Sequence, residues 1–111
     1  MIETTEIADK TLIGLAGRID STNSGQIEAA ILDRVRQGAT RVVLDFSRLD
    51  YISSAGLRVV LILAKKLKQT GGRLAVCALK PNIHSIFEVS GFLPLLKVCA
   101  TSEEALDAVG A

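Results

Sequence analysis

Aromatic rings and histidine are scarce in this sequence, and their scarcity excludes several kinds of function. The chain of 111 residues has no tryptophan, 4% aromatic residues and 1 histidine. So few rings argue against a stacking platform for single-stranded nucleic acid. The 13 basic residues nearly balance the 12 acidic ones, which argues against binding to duplex nucleic acid or to a charged membrane surface. We therefore expect no nucleic-acid partner.

Long hydrophobic segments and a cysteine framework are also missing. The longest apolar run, LRVVLILAKKL, begins at Leu57 and is too short and too charged to span a bilayer. The acidic start, MIETTEIADK, has no hydrophobic signal core. Cys77 and Cys99 each lie in an apolar run and in no metal-ligand spacing, as is typical of buried, reduced thiols. These features predict a cytoplasmic protein with no direct membrane insertion and no metal site.

What the sequence does contain is enough apolar material for one core. Hydrophobic residues make up 49% of the chain and charged residues 23%. There is no linker, internal repeat or low-complexity tract. We therefore expect a single domain over residues 1–111, with a monomer as the default oligomeric state.

Hydrophobic periodicity and turn residues predict the order β-β-α-β-α-β-α-β-α. The first two strands are expected around a turn at Ala8–Asp9–Lys10, with the second near Thr11–Leu15 and a break at Gly17. The remaining strands are predicted at RVVLDF, RLAVCAL and LLKVCA. A turn is expected directly after RVVLDF.

Helices are predicted between these strands and at the end of the chain. Asn23 and Gln26 stand in the capping-box relation, with Ser24 as a competing N-cap. Pro81 opens the third helix, and a second capping box, Thr101 with Glu104, opens the fourth. For the second helix, the apolar face is predicted to contain Leu57, Leu61, Ala64 and Leu67 or Lys68.

Strands that alternate with helices favour right-handed crossovers and a largely parallel sheet. The opening hairpin adds an antiparallel neighbour. We therefore predict an α/β fold with a small mixed, mostly parallel sheet of roughly four to five strands. About four helices are expected to pack on it over a single layer of core.

The stretch DYISSAGLR, from Asp50 to Arg58, places two serines between two apolar elements. A serine at a strand-to-helix turn is typical of the nucleophile elbow, G-x-S-x-G. In the pattern centred on Ser54, however, Ile52 stands where the first glycine belongs. The only histidine, His84, lies inside the third predicted helix. These departures argue against a serine hydrolase that uses Ser54 with His84.

Other catalytic patterns are absent as well. The segment QTGGRLA lacks the G-K-[ST] of a phosphate-binding loop, and no His, Cys or Asp cluster has ligand spacing. Asp45 and Asp50 are expected on either side of a turn, where turn and cap roles explain them better than paired acid–base work. We expect a protein that is not an enzyme and holds no cofactor.

Two interpretations of the serines remain open from the residues alone. In the first, Ser53 or Ser54 is only a helix N-cap, which contributes about 1 kcal/mol. In the second, Ser54 accepts a phosphoryl group, which adds a charge of about −1.5 to −2 at neutral pH. The N–H groups and the dipole at a helix N-terminus favour such a charge. Modification would then act on a docked partner and leave the fold intact.

The segment from VVLDFSRLDYISSAGLR to FEVSGF resembles the STAS-domain family of bacterial anti-sigma factor antagonists. The shared elements are a hydrophobic strand, a D-S-[ST]-G-L motif that opens a helix, a G-G turn, a strand, and a helix that ends in S-G. By position, Ser54 matches the family's phosphorylated serine and Gly56 its motif glycine. Ser53 stands where the family often has Asp, which leaves Ser53 as the second choice of phosphoacceptor. Ala55 stands where the family has Ser or Thr.

The resemblance implies a partner-switching function. The unphosphorylated protein is expected to bind an anti-sigma factor that is also a serine kinase of the histidine-kinase-like ATPase type, and so to free a sigma factor. Phosphorylation would release the protein, and a PP2C-like serine phosphatase would reset it. An alternative, also implied by the family, is a non-phosphorylated scaffold subunit of a membrane transport assembly.

The resemblance also implies where the partner binds. The segment LAGRIDSTNS is similar to the family's L-x-G-x-[IL]-D, which places Asp20 on the family's acidic position. The expected contact surface combines this turn with the serine motif and the outer face of the next helix. Its residues are Asp20, Ser21, Ser53, Ser54, Ala55, Gly56 and Arg58.

Overall fold

Strands and helices alternate along the chain in the predicted order. The computed structural model describes residues 2–110. Its strands are β1 (Ile2–Ile7), β2 (Lys10–Ile19), β3 (Arg41–Ile52), β4 (Arg73–Cys77) and β5 (Lys97–Cys99). Its α-helices are α1 (Ser24–Arg36), α2 (Ser54–Gln69), α3 (Pro81–Val89) and α4 (Ser102–Gly110), with a short 3₁₀ turn at Leu93–Leu95.

The five strands form one sheet in which the spatial order, β1-β2-β3-β4-β5, is the order along the chain. β1 pairs with β2 in antiparallel fashion, and the other pairings are parallel. The predicted mixed, mostly parallel sheet is therefore confirmed. Because each crossover helix must return the chain to the same end of the sheet, the loops that follow β2, β3 and β4 share one edge.

Apolar side chains are buried on both faces of this sheet, so the predicted single layer of core is wrong. Val42 and Leu44 pack into the larger core with α1, α2 and α3, where the rings of Phe46 and Phe87 meet edge to face at 5.7 Å. Val43 points to the opposite face, since successive residues of a strand alternate. There it packs with Ala75, Cys77, Ala105 and Val109, the last two from α4.

Gly17 does not end β2, contrary to the prediction. The strand continues to Ile19, and the register of the β2–β3 pairing shifts between Gly14 and Ala16 and again between Gly17 and Arg18. Gly17 has a φ of +81°, a conformation that glycine adopts without steric cost. The glycine therefore marks an irregularity of the kind that bends a strand and keeps it paired.

β3 is twice as long as the apolar run that predicted it. The strand extends from Arg41 to Ile52, so Asp45 and Asp50 lie within the strand and not across a turn. The carboxylate of Asp45 accepts a hydrogen bond from the backbone N–H of Ser47 at 2.9 Å. The second half of β3 carries more exposed residues, which hid it from a search for continuous apolar runs.

The buried face of α2 is rotated from the predicted one. Leu57 and Leu67 are buried as expected, but Leu61 and Ala64 are only half-buried. The other buried residues of the helix are Gly56, Val59, Val60 and Leu63. Leu61 and Ala64 instead lie beside surface cavities on the outer face of the helix.

Candidate functional site

The carboxyl ends of β2 and β3 meet at the edge where the two candidate segments were expected to come together. Ile19 and Ile52 are paired in the sheet. The backbone N–H of Ser53 donates to the carbonyl oxygen of Ile19 at 2.9 Å. The loop that begins at Asp20 and the serine turn are thus direct neighbours.

Ser53 is the N-cap of α2. It has extended backbone angles, φ −90° and ψ 176°, and its hydroxyl accepts a hydrogen bond from the N–H of Gly56 at 3.4 Å. This is the position at which serine satisfies one of the free N–H groups of the first turn. Ser53 is half-buried. The cap role left open between the two serines therefore belongs to Ser53.

Ser54 is the first residue of α2 and is exposed. Its hydroxyl has no hydrogen-bond partner among residues 2–110. The side chain therefore projects from the positive end of the helix with its oxygen open to solvent. An oxygen in this position is accessible to a modifying enzyme, and the helix end favours a negative charge placed on it.

Gly56 is buried where the turn packs on the sheet edge. A Cβ atom at this position would lie 2.6 Å from Cγ1 of Ile52 and 2.8 Å from Cγ2 of Ile19. Both distances are too short for carbon atoms, so a larger residue would push α2 away from β2 and β3. The motif glycine therefore allows the first turn of α2 to pack closely on β2 and β3.

The loop after β2 is organised around the carboxylate of Asp20. One of its oxygens accepts hydrogen bonds from the N–H and the hydroxyl of Thr22, at 2.9 and 2.5 Å. These bonds, the hydroxyl contribution first, hold the pKa of Asp20 below its ordinary 3.8, and the charge of Arg18 helps in the same direction. Asp20 therefore presents a stable negative charge beside the serine turn, and Ser21 next to it is exposed.

Asn23 braces this loop and does not cap α1 through its side chain. Its amide oxygen accepts from the N–H of Asp20 at 2.9 Å, and its amide nitrogen donates to the carbonyl of Arg18 at 2.7 Å. Asn23 is the N-cap residue, but its side chain makes no cap hydrogen bond. The predicted capping box with Gln26 is thus wrong, because these loop hydrogen bonds occupy both polar atoms of the amide.

Arg18 and Tyr51 extend the site along the two strands, and the sequence search missed both. The Arg18 guanidinium lies 4.5 Å from the centre of the Tyr51 ring, and its Nε lies 4.0 Å from a carboxylate oxygen of Asp20. Tyr51 is the only tyrosine in the sequence and lies two residues before Ser53. A lone aromatic residue so close to the serine motif is the signal by which it could have been found.

The start of α3 contacts the end of β3, just before the serine turn. The ammonium group of Lys80 lies 2.7 Å from the Asp50 carboxylate, and the side chain of Asn82 donates to the Asp50 carbonyl at 2.9 Å. Both contacts are solvent-exposed. They fix the start of α3 against the end of β3.

Ser54 and Arg58 line one small cavity at the start of α2. The cavity has a volume of about 260 Å³, and its other lining residues are Leu57, Leu61, Ser90 and Phe92. A neighbouring cavity of about 400 Å³ shares Arg58 and Leu61 and continues along the helix to Lys65, Lys68 and Leu95. The outer face of α2 thus combines apolar and basic side chains, and Arg58 is exposed on it.

The structure offers no support for hydrolytic chemistry at this edge. His84 is exposed on α3 and forms no hydrogen bond with Ser54. Within residues 2–110, no group of three or more His, Cys, Asp or Glu side chains is arranged to hold a metal ion. No helix in the same range has the length and apolarity needed to cross a membrane.

The structure is a small α/β domain in which a capped helix and an exposed serine lie beside the loop that follows β2. The model of the STAS domain family matches residues 1–105 of the chain. The chain belongs to the STAS domain family, as its motifs predicted.

Proteins named as anti-sigma factor antagonists align with most of this chain. A candidate anti-sigma factor antagonist of Bordetella bronchiseptica, BtrV, is 52% identical over 91 residues, which cover 82% of this chain and 78% of BtrV. The structure of the anti-sigma factor antagonist SpoIIAA in its unphosphorylated form matches with 30% identity and a TM-score of 0.85, over 99% of this chain and 96% of SpoIIAA. The phosphorylated form of the Bacillus protein SpoIIAA matches with 31% identity and a TM-score of 0.77, over 98% and 99% of the two chains.

Proposed function

We propose that this protein is an anti-sigma factor antagonist whose binding is switched by phosphorylation of Ser54. The observation that carries the proposal is the position of Ser54, which is exposed at the first residue of α2 with no hydrogen bond to its hydroxyl from residues 2–110. Ser53 is the poorer acceptor, because it is half-buried and its hydroxyl caps the helix. The relatives named anti-sigma factor antagonist support the same function.

The unphosphorylated protein binds an anti-sigma factor and thereby frees a sigma factor. Its contact surface comprises the loop at Asp20 and Ser21, the turn from Ser53 to Ala55, and Arg58 on the outer face of α2. Gly56 contributes by close packing beneath this surface, since it is buried. Asp20 and Arg58 carry charges of opposite sign on this surface, so the partner must match both, which favours a specific complex.

Phosphorylation transfers the γ-phosphoryl group of ATP from the anti-sigma factor, acting as a serine kinase, to Oγ of Ser54. The O–H bond of the serine and the bond between the β- and γ-phosphates break, a new O–P bond forms, and ADP and a proton leave. A PP2C-like phosphatase reverses the modification with water, which takes up the phosphoryl group and leaves a free hydroxyl. The protein itself acts as substrate and ligand in this cycle, without enzymatic activity or a cofactor, as a cytoplasmic monomer.

The fold tolerates the phosphate, whereas the bound partner does not. At the first turn of α2 the free N–H groups and the helix dipole stabilise added negative charge. In the complex, the same group adds bulk and about −1.5 to −2 charges to a surface that is excluded from water. Release therefore follows from repulsion and desolvation at the interface, and no change in the fold is needed.

The experiment is a phosphorylation and binding assay with the purified anti-sigma factor. Incubation with ATP is expected to add one phosphate to the wild-type chain and to Ser53→Ala, as seen by intact mass, and none to Ser54→Ala. In calorimetry, Ser54→Ala is expected to bind as tightly as the wild type, and Ser54→Glu at least tenfold more weakly. Labelling of Ser54→Ala would sink the site assignment. Undiminished binding of the phosphorylated wild type would instead indicate a constitutive docking domain.

A further inference from the structure

Ser54 and Arg58 lie one helical turn apart on the exposed face of α2. Residues with this spacing are neighbours on a helix surface. Long side chains on a helix also lean towards its N-terminus, so the guanidinium of Arg58 extends in the direction of Ser54. In agreement with this geometry, both residues line the same cavity of about 260 Å³.

The charged side chain of Arg58 has no partner among the described residues of the unmodified protein. Its guanidinium forms no hydrogen bond or ion pair with any described residue. It is also the only charged side chain among the residues that line this cavity, whose remaining walls are Leu57, Leu61, Phe92 and the hydroxyl-bearing Ser90. No carboxylate lines the cavity to compete for Arg58.

We propose that a phosphate on Ser54 is held within the same chain by Arg58, across the cavity that the two residues share. The planar guanidinium presents several N–H donors and matches a phosphate group well. Ser90, which carries a hydroxyl donor, lines the same space. This inference rests on the proposed phosphorylation of Ser54 and adds a fixed internal partner for the phosphate.

The contact has a consequence for switching. In the unmodified protein, Arg58 is available to an acidic group of the bound anti-sigma factor. In the phosphorylated protein, the same cation is neutralised and held by the phosphate. Phosphorylation then both adds a repulsive group and withdraws an attractive one, so a single modification changes two features of the contact surface.

The test places phosphoserine at position 54 during translation, so that no kinase is needed. The second pKa of the phosphate is measured by ³¹P NMR titration in the otherwise unchanged chain and in Arg58→Gln. We expect this pKa to be higher in Arg58→Gln by roughly 0.15 to 0.4 units, the shift that corresponds to an exposed ion pair one helical turn apart. Arg58→Lys, which keeps the charge without the planar group, is expected to recover part of the difference.

Lys66→Gln is the matched control, because Lys66 is an exposed cation in the last turn of the same helix. It is expected to leave the phosphate pKa unchanged, whereas high salt is expected to shrink the effect of Arg58→Gln. The proposal is overturned if Arg58→Gln titrates like the unchanged chain, or if Lys66→Gln shifts the pKa equally. Because phosphate is installed directly, the contact can be present even if phosphorylation leaves anti-sigma factor binding unchanged. That second result would reject the proposed function alone.

Discussion

The backbone N–H of Ser53 donates to the carbonyl oxygen of Ile19 at 2.9 Å. This one hydrogen bond joins the end of β2 to the first residue beyond β3. The Asp20 loop and the serine turn are therefore held side by side, even though more than thirty residues separate them in the chain.

The two adjacent serines are expected to differ in their effect on stability. Ser53→Ala removes the hydroxyl that accepts from the Gly56 N–H and is expected to lower the free energy of unfolding by about 0.5–1 kcal/mol, the lower part of the range for N-caps, because the bond is long at 3.4 Å. Ser54→Ala removes an exposed hydroxyl with no partner in the described chain and is expected to change it by less than ~0.5 kcal/mol. Urea denaturation measures both. Equal losses for the two variants would contradict the assignment of the cap.

Gly56→Ala is expected to destabilise the domain by about 1–3 kcal/mol, because the added methyl group collides with Ile52 and Ile19. The matched control is Gly25→Ala near the start of α1, where an added Cβ meets nothing within 4 Å. This control is expected to be neutral or stabilising by up to ~1 kcal/mol, since alanine favours a helix over glycine. Thermal unfolding followed by circular dichroism compares the two. If both variants melted like the wild type, the close packing of the motif glycine would be refuted.

The carboxyl group of Asp20 is expected to titrate below 3.8, and Thr22→Val is expected to raise its pKa because the hydroxyl bond to the carboxylate is lost. Thr22→Ser, which keeps the hydroxyl, should preserve most of the shift. Because the pKa is lowered by folding, the associated stability is present above pH 3.8 and is lost as the pH falls through the pKa of the folded state. Carbon-detected NMR titration of the side chain measures this, and a wild-type pKa at or above 3.8 would refute it.

The two cysteines are expected to react at different rates. Burial raises the pKa of the Cys77 thiol to about 12, and the nearby Asp45 and Cys99 add to the shift. Cys99, its partner in the β4–β5 register, is only half-buried. Iodoacetamide at pH 8 should therefore modify Cys99 first in the folded protein and both residues in urea, as read by peptide mass spectrometry.

The raised pKa of Cys77 also makes the stability of the domain depend on pH under alkaline conditions. The unfolded thiol loses its proton near pH 9.0, whereas the folded one keeps it to about 12, so stability falls as the pH rises between these values. Faster labelling of Cys77 than of Cys99 in the native state would contradict both the burial of Cys77 and its raised pKa.

The order of elements was predictable because local patterns determine it. Pro81 is the first residue of α3, as the sequence predicted. The hydroxyl of Thr101 accepts from the N–H of Glu104 at 3.2 Å, which is one of the two hydrogen bonds of the predicted capping box. The caps and turns that were confirmed depend only on residues a few positions apart. Such features need no knowledge of the tertiary fold.

The errors arose where tertiary contacts override a local pattern. The second half of β3 has exposed residues, yet it remains a strand because it pairs with β2 beyond the irregularities near Gly17. The face of α2 was assigned to one of two competing apolar stripes, and only the position of the sheet decides that Val60 and Leu63 are buried while Leu61 is not fully buried. Neither outcome is contained in a short window of sequence.

The site was predictable in part. The serine motif identified the turn, and the hydroxyl geometry of Ser53 and Ser54 then separated the cap from the exposed residue. The contacts of Arg18 with Tyr51, and of Thr22 with Asp20, depend on the register between two strands and on the conformation of a loop. Sequence alone did not indicate that Arg58 shares a cavity with Ser54 and Phe92.

Because the strand order in the sheet follows the chain order, each strand pairs only with its neighbours in sequence. The β2–β3 and β3–β4 pairings nevertheless join residues far apart in the chain, such as Thr11 with Val42 and Arg41 with Arg73, because each spans a crossover helix. Such pairings lose loop-closure entropy before their contacts form, which slows folding. The turn at Ser53 and Ser54 lies in the middle of this series, but Lys80 and Asn82 arrive only with α3 to hold Asp50. The contacts that hold Asp50 beside the serine turn therefore need α3, and a chain that stops before α3 has the two serines without Lys80 and Asn82.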